Sequence, residues 1–367
     1  MQGKEKFDVR SIKRSMNIRL FFITSLIVLH CFPLYSQLGG RYTFSFLDLN
    51  YSARSSALGM PNVPILDKDI SLAIGNPSLL NEAMHNFTNL SFSNYLSDIA
   101  YGNASYARSF ENDYTGMAAI RYINYGEFIK ADEYGNQNGT FSAGEYALSL
   151  SLSKKLKEHF YTGASLQFIY SAFERYYSSG LALDYALTYH KAEENLTATL
   201  LVSNLGFQLK PYSPGNREPL PLNIQLGFSK KPQHMPLRFI VVAHHLNKLN
   251  FAYADPNKPS VINFGDNSEQ GDKVPLSEKV FRHFNVGGEM VLSENFHLRF
   301  GYDHQRRKEM KIPGKPGLVG FSLGFGLRIS KFYLSYGNTI YHVAGTSNNF
   351  SVSFNPQEFV RKEKKKD

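Results

Sequence analysis

Few residues in this chain have the types and spacing to do chemistry. His244 and His245 are adjacent, so on a strand they would point to opposite faces and could not share a metal. His283 and His297 stand apart with no ligand spacing around them, and we read them as satisfied or exposed side chains. Asp67 and Asp69, two residues apart, have the types for an acid–base pair; in a Pro-rich stretch they read instead as acceptors of backbone N–H bonds in turns. No phosphate-cradling glycine loop, zinc helix or nucleophile elbow occurs. The expectation is a non-enzymatic protein with no catalytic residue, no metal site and no cofactor. Arg306, Arg307 and Lys308, with Lys311 and Lys315, make the one cluster with binding character. A solvated charged loop is its plain reading; the sharper one is that it meets phosphates or an acidic surface.

Composition narrows what could position these residues. Of 367 residues, 43% are hydrophobic, 14% aromatic and 19% charged, which excludes a disordered chain. A single cysteine, Cys31, excludes an internal disulfide framework. Lys4, Lys6, Arg10, Lys13, Arg14 and Arg19 precede an apolar stretch from Leu20 to Leu29, followed by Ser36 and Gln37. That order is a secretory signal over residues 1–36, because the apolar stretch is too short to cross about 30 Å of hydrocarbon. His30 before Cys31 is too large for a lipoprotein signal, so the mature chain carries no thiol. Removing the signal's net +4 from the formal +9 leaves about +5, of which the tail 361–367 holds +3. The pI of 9.3 therefore reflects the two ends and marks no nucleic-acid-binding face.

Apolar residues recur with a period of two. From 319 to 329, Val319, Phe321, Leu323, Phe325, Leu327 and Ile329 alternate with Gly320, Ser322, Gly324, Gly326 and Arg328. Leu148, Leu150 and Leu152 alternate with Ser149, Ser151 and Ser153, and Phe350, Val352 and Phe354 with Asn349, Ser351 and Ser353. Leu196, Ala198, Leu200 and Val202 do so against Thr197, Thr199 and Ser203, with Leu201 the exception. We read about fourteen strands between Asn86 and Asn355, many of about 10 to 13 residues, long for a soluble sheet and suited to tilted membrane strands.

Their connections alternate in length. Tight ones fall at 111–113, 155–158, 191–194, 231–235, 293–295 and 330–331, and longer ones at 126–140, 207–217, 249–280 and 305–317. The connections at Ser97, 174–178 and 344–346 take the long side of the alternation. Short periplasmic turns and longer outer loops are the habit of outer-membrane barrels, whereas a soluble sandwich has no reason to alternate. The predicted fold is all-β: a transmembrane antiparallel barrel over residues 86–355 with a basic periplasmic tail at 356–367. The cluster around Arg306 then lies in an outer loop, within reach of lipopolysaccharide phosphates. Tyr122, Tyr125, Tyr170, Tyr176, Tyr177, Tyr333, Tyr336 and Tyr341 are placed for interfacial girdles.

Residues 37–85 lack strand character. An apolar segment between a signal and a wide barrel is expected to fold into the lumen as a plug, burying Leu58, Ile65, Leu66, Ile70, Leu72 and Leu79. The run from Ser55 to Met60, then Asp67, Asp69, Ser71, Asn76, Pro77 and Leu79, resembles the N-terminal hatch of FadL-type outer-membrane barrels. The stretches GGRYTFSFLDL (39–49), SARSSALGM (52–60), DKDISLAIGNPSLL (67–80), RYINYGEFIKADEYGNQNGTFSA (121–143) and NREPLP (216–221) are similar to the PorQ family of type IX secretion barrels. The basic residues after Phe359 depart from the common barrel ending on an aromatic residue. The resemblance implies an outer-membrane anchor for a PorZ-like surface protein, in a cargo-receiving attachment complex with a sortase-like protease and a PorV-like barrel. The competing expectation is a FadL-like conduit for hydrophobic molecules, which needs an apolar lumenal pocket; inward Gly320, Ser322, Gly324 and Gly326 argue against one.

Overall fold

A computed structural model describes residues 42–248, 275–312, 314, 317–343 and 345–359. The expected signal at 1–36, the basic run 361–367, Lys315 and most of the 249–280 connection lie outside the described residues.

The alternating segments form fourteen strands among the described residues. They are β1 (Thr88–Asn94), β2 (Ala100–Ser109), β3 (Tyr114–Ala131), β4 (Gln137–Lys157), β5 (Phe160–Phe173), β6 (Tyr176–Lys191) and β7 (Leu196–Lys210). The second half comprises β8 (Asn223–Lys230), β9 (Leu237–Ala243), β10 (Phe284–Val291), β11 (Phe296–Asp303), β12 (Phe321–Ile329), β13 (Phe332–His342) and β14 (Gly345–Phe354). Each pairs antiparallel with its chain neighbours, and β1 pairs with β14, so the sheet closes into a barrel. Leu148, Leu150 and Leu152 face outward while Ser149, Ser151 and Ser153 are buried inside. The exposed belt continues round the wall through Leu90, Leu166, Leu226, Leu298 and Phe350. Apolar surface this extensive needs lipid over it, which makes the barrel a transmembrane one.

One rim carries the six tight turns, and the start of β1 and end of β14 lie there too. Asn112 and Asp113, at φ 60° and 63°, build the first of these turns, a three-residue link between the bonded Phe110 and Tyr114. Strand length departs from expectation: β8 to β12 span only 7 to 9 residues, whereas β3 and β4 reach 18 and 21. The 126–140 connection, expected as a loop, is mostly strand: Glu127 pairs with Ser142, Phe128 with Phe141 and Ile129 with Thr140. Residues 127–140 are exposed on both faces, so period-two hydrophobicity is lost while the ladder persists. The 305–317 connection likewise opens with a helix, His304–Met310, capped by Asp303. Tyr125, Tyr333 and Tyr341 do not join a girdle; they stand at inward positions of β3 and β13, with the phenols of Tyr125 and Tyr333 reaching Glu145 and His297.

Residues 42–85 lie within the barrel as a series of short turns. Ser52, Asp69, Asn76 and Asn81 each accept a backbone N–H from two or three residues ahead, starting Ala53–Ala57, Ile70–Ala73, Pro77–Leu79 and Glu82–Met84. Leu58, Met60, Val63, Ile65, Leu72 and Leu79 pack with Ile240 and Val242 of β9. Phe44, Phe46, Leu47 and Ile70 pack with Met117, Ile123 and Ile169 from β3 and β5. Glycine in the wall is what admits the segment's backbone at its closest approaches. A Cβ on Gly301 would lie 2.1 Å from the carbonyl carbon of Leu58, and one on Gly163 would lie 2.4 Å from that of Pro77.

Gly301→Val and Gly163→Val should therefore each displace the segment while leaving the strand ladder closed. Both variants are expected to keep the slow, folded gel migration of an unheated barrel but to gain trypsin cleavage at Arg54 or Lys68. Cleavage no faster than in the unchanged protein would show that the wall tolerates the added side chain.

Candidate functional site: a charge clamp inside the barrel

Three neighbouring strands carry charged residues side by side on the inner face. Glu289 of β10 is directly opposite Arg238 of β9 and Arg299 of β11. The row has a net charge of +1 with no water-facing outlet for Glu289 and Arg299, both buried. Residues 52–69 complete it. Arg54, 1% exposed, donates from Nε and Nη2 to the two oxygens of Glu289 at 2.9 and 2.8 Å. Its Nη1 donates to Asp67 Oδ2 at 2.7 Å and Asp69 Oδ2 at 3.2 Å. Glu289 also accepts from Arg299 Nε and Arg238 Nη1, each at 2.9 Å. Three guanidinium groups thus meet three carboxylates, with His297 Nδ1 3.8 Å from Glu289.

Each aspartate serves twice. Asp67 Oδ1 accepts the N–H of Asp69 at 3.0 Å, and Asp69 Oδ1 accepts the N–H and hydroxyl of Ser71 at 3.1 and 2.7 Å. Burial pushes the Asp67 carboxyl up, yet Arg54 and Arg238 outweigh it and hold the group below its ordinary range. Burial likewise opposes the charge on Arg54, and Asp67 and Glu289 keep it firmly protonated. Farther along, Asn76 accepts from Ser78 N–H and hydroxyl at 3.1 and 2.7 Å, with Pro77 at the start of the turn. Ser78 then meets Thr188 of β6 at 2.7 Å. Asp67, Asp69 and Ser71 are thus brought together around Arg54, whereas Asn76 and Pro77 anchor a separate contact. Sequence reading missed Arg54, Arg238, Glu289 and Arg299. For the three wall residues the signal was a charged residue at an inward position of a lipid-facing strand, as with Arg299 between Leu298 and Phe300.

A second polar region lies between the segment and β3, β6 and β7. Asn204, at φ 59°, bulges β7 so that its N–H reaches Asp184 Oδ1 at 2.7 Å, while its amide donates to Asp48 Oδ1 at 3.0 Å. A cavity of about 30 Å³ sits here, lined by Asp48, Tyr51, Arg121, Asp184, Asn204 and Gln225. It has room for on the order of two waters, against roughly 300 Å³ for the smaller ligand pockets. Burial pushes the Asp48 carboxyl up to about 7, against the attraction of Lys248 and Arg121.

The basic cluster is not one solvent-facing patch. Arg306 turns inward over the Tyr341 ring at 4.3 Å and pairs with Asp303 at 3.2 Å. Arg307 donates to the carbonyls of Gly317 and Val319 at 2.7 and 3.2 Å, and Lys308 pairs with Glu278 at 2.9 Å. Lys311 is exposed, and Lys315 lies outside the described residues. His244 and His245 also differ from expectation. β9 ends at Ala243 and His245 takes φ 55°, so strand alternation is broken and the two Nδ1 atoms come within 2.7 Å. His283 Nδ1 lies 2.8 Å from the His244 carbonyl. Among the described residues no group of His, Cys, Asp or Glu is arranged to hold a metal.

No protein-family model matches the sequence, and no curated protein matches it. Solved structures do. The chain is similar to two toluene transporters and a FadL homologue. The Pseudomonas putida toluene transporter TodX is 12% identical over 83% of this chain and 96% of its own, with a TM-score of 0.48. The Ralstonia pickettii toluene transporter TbuX is 10% identical over 83% and 97%, at 0.46. A Pseudomonas aeruginosa FadL homologue is 10% identical over 83% and 98%, at 0.47.

Removing one member of the clamp leaves its partners charged in a dry interior. Glu289→Ala should cost about 3–5 kcal/mol in denaturant unfolding from lipid vesicles, and Asp67→Ala, at a site one-third open, distinctly less. Equal losses would place the charge balance elsewhere. Asp48 sets a pH dependence of known sign. Its raised pKa means its contribution to stability is full below about 4 and is lost as pH rises through about 7. The melting midpoint of the unchanged protein should therefore fall between pH 5 and 8 by more than that of Asp48→Asn; parallel curves would remove Asp48 as the cause.

Proposed function

We propose that this chain is a non-enzymatic outer-membrane scaffold, sealed by its own N-terminal segment and anchoring a surface protein in the attachment complex of type IX secretion. The observation that carries this reading is the filled interior. The segment is held by a balanced buried charge clamp, and the cavity beside it near Asp48 is about 30 Å³, far smaller than a pocket for a hydrophobic passenger. What remains for function is the rim with the longer connections, which by the habit of such barrels faces outward. The sequence resemblance to PorQ-type barrels supplies the identity of the complex: a PorZ-like surface protein as direct partner, with a sortase-like protease and a PorV-like barrel alongside. Lys308 and Lys311 stay on the exposed side of that rim, where lipopolysaccharide phosphates would meet them.

Gentle detergent extraction of the native outer membrane, followed by identification of what stays bound, tests the reading. A PorZ-like protein should remain with the barrel, and deleting the barrel should release surface cargo unprocessed. Normal cargo processing in the deletion strain, together with lost uptake of a hydrophobic compound, would replace the scaffold with a conduit.

A further inference from the structure

β3 and β4 continue past the wall as a two-stranded ribbon. Pairing of β3 with β2 stops at Asn124, and pairing of β4 with β5 starts at Ala143, so residues 125–142 have only each other. The eleven residues from Tyr114 to Asn124 already suffice to cross a membrane, and the ribbon then rises about 20 Å beyond that level. Its tip is closed and ordered: Asp132 Oδ1 accepts the N–H groups of Tyr134 and Asn136, both at 2.9 Å, and Oδ2 accepts the Asn136 amide at 2.9 Å. Phe128 stacks on Phe141 at 5.2 Å on one face, and Lys130 pairs with Glu174 of the neighbouring turn at 3.0 Å.

The two edges differ. The β3 edge is guarded in the way proteins guard free strands, by the extra residue after Asn124 and by Glu127 and Lys130. The second irregularity, a bulge, puts its extra residue in β4 instead, at Asn138 and Gly139 opposite Lys130, with Gly139 at φ 131°. The β4 edge, Gln137, Asn138, Gly139, Thr140, Phe141 and Ser142, has no charge, no proline and, among the described residues, no strand beside it. Apart from that bulge, its outward backbone groups meet no strand among the described residues, which is what strand addition requires. The charge of the ribbon says what suits them. Glu127, Asp132 and Glu133 against Lys130 leave a net −2, which repels an anionic lipid surface and favours a segment bearing Lys or Arg.

We propose that the β4 edge over residues 137–142 receives an extended, basic segment of a surface protein as an added strand. This rests on the scaffold reading and names the contact through which the partner is held.

Hydrogen exchange of the full-length protein decides it, comparing the assembly extracted from native membranes with the purified barrel. Exchange over 137–142 should slow at least tenfold in the assembly while 125–131 changes little. A variant lacking residues 127–140, joined by a short turn, should keep its folded gel migration yet lose the partner, and Glu127→Lys with Glu133→Lys should weaken co-extraction at low salt. Unchanged exchange over 137–142 in an assembly that does contain a partner would overturn the edge assignment alone. Protection that rises with the concentration of purified barrel would assign the edge to a second copy. Protection produced by lipopolysaccharide vesicles alone would assign it to lipid. Extraction of the barrel with no protein bound would overturn the scaffold reading as well.

Discussion

Glu289 receives hydrogen bonds from three guanidinium groups, and the rest of the interior is arranged around that fact. A carboxylate taken fully out of water loses several kcal/mol of hydration, which its partners must restore through short, well-aligned contacts. The wall alone cannot do this neutrally, because Arg238 and Arg299 flank a single acid. Arg54, Asp67 and Asp69 bring the opposite imbalance, so wall and segment neutralise each other only when docked. Such a cluster adds modestly to stability compared with apolar packing of the same volume, but it penalises every other placement of the segment heavily. Specific register is its physical product.

Apolar packing supplies the bulk of the attachment. Leu58, Leu72 and Leu79 are buried against the wall, and the close backbone approaches at Gly163 and Gly301 fix how deeply the segment sits. The small cavity near Asp48 interrupts this close fit. There the β7 bulge turns backbone donors inward, and a carboxyl whose pKa is pushed to about 7 lies between Arg121 and Asp184.

Strand alternation was legible because lipid on one side and a filled lumen on the other impose opposite preferences at every second residue. That is why Leu148, Leu150 and Leu152 located β4 and why the tight turns were placed on one rim. Where lipid stops, so does the signal: residues 126–140 of the ribbon read as a loop although its strands pair. The charge clamp was illegible for another reason. Arg54 and Glu289 are 235 positions apart, and only the register of β9, β10 and β11 sets Arg238, Glu289 and Arg299 abreast. Arg306 read as an outer-loop cation because nothing local shows that Tyr341 lies beneath it. His244 and His245 read as opposed because a strand was assumed to continue two residues longer than it does.

The seam between β1 and β14 joins residues more than 250 positions apart, and the inner segment touches both of its sides. Ser91 of β1 donates to the Tyr51 carbonyl at 2.6 Å, and Ser351 of β14 accepts the Ala53 N–H at 3.0 Å. The inner segment is thus the bobbin on which the first and last strands of the sheet meet. Closing the ring and seating the inner segment are therefore coupled, because residues 51–53 bond to both strands at the place where the sheet shuts.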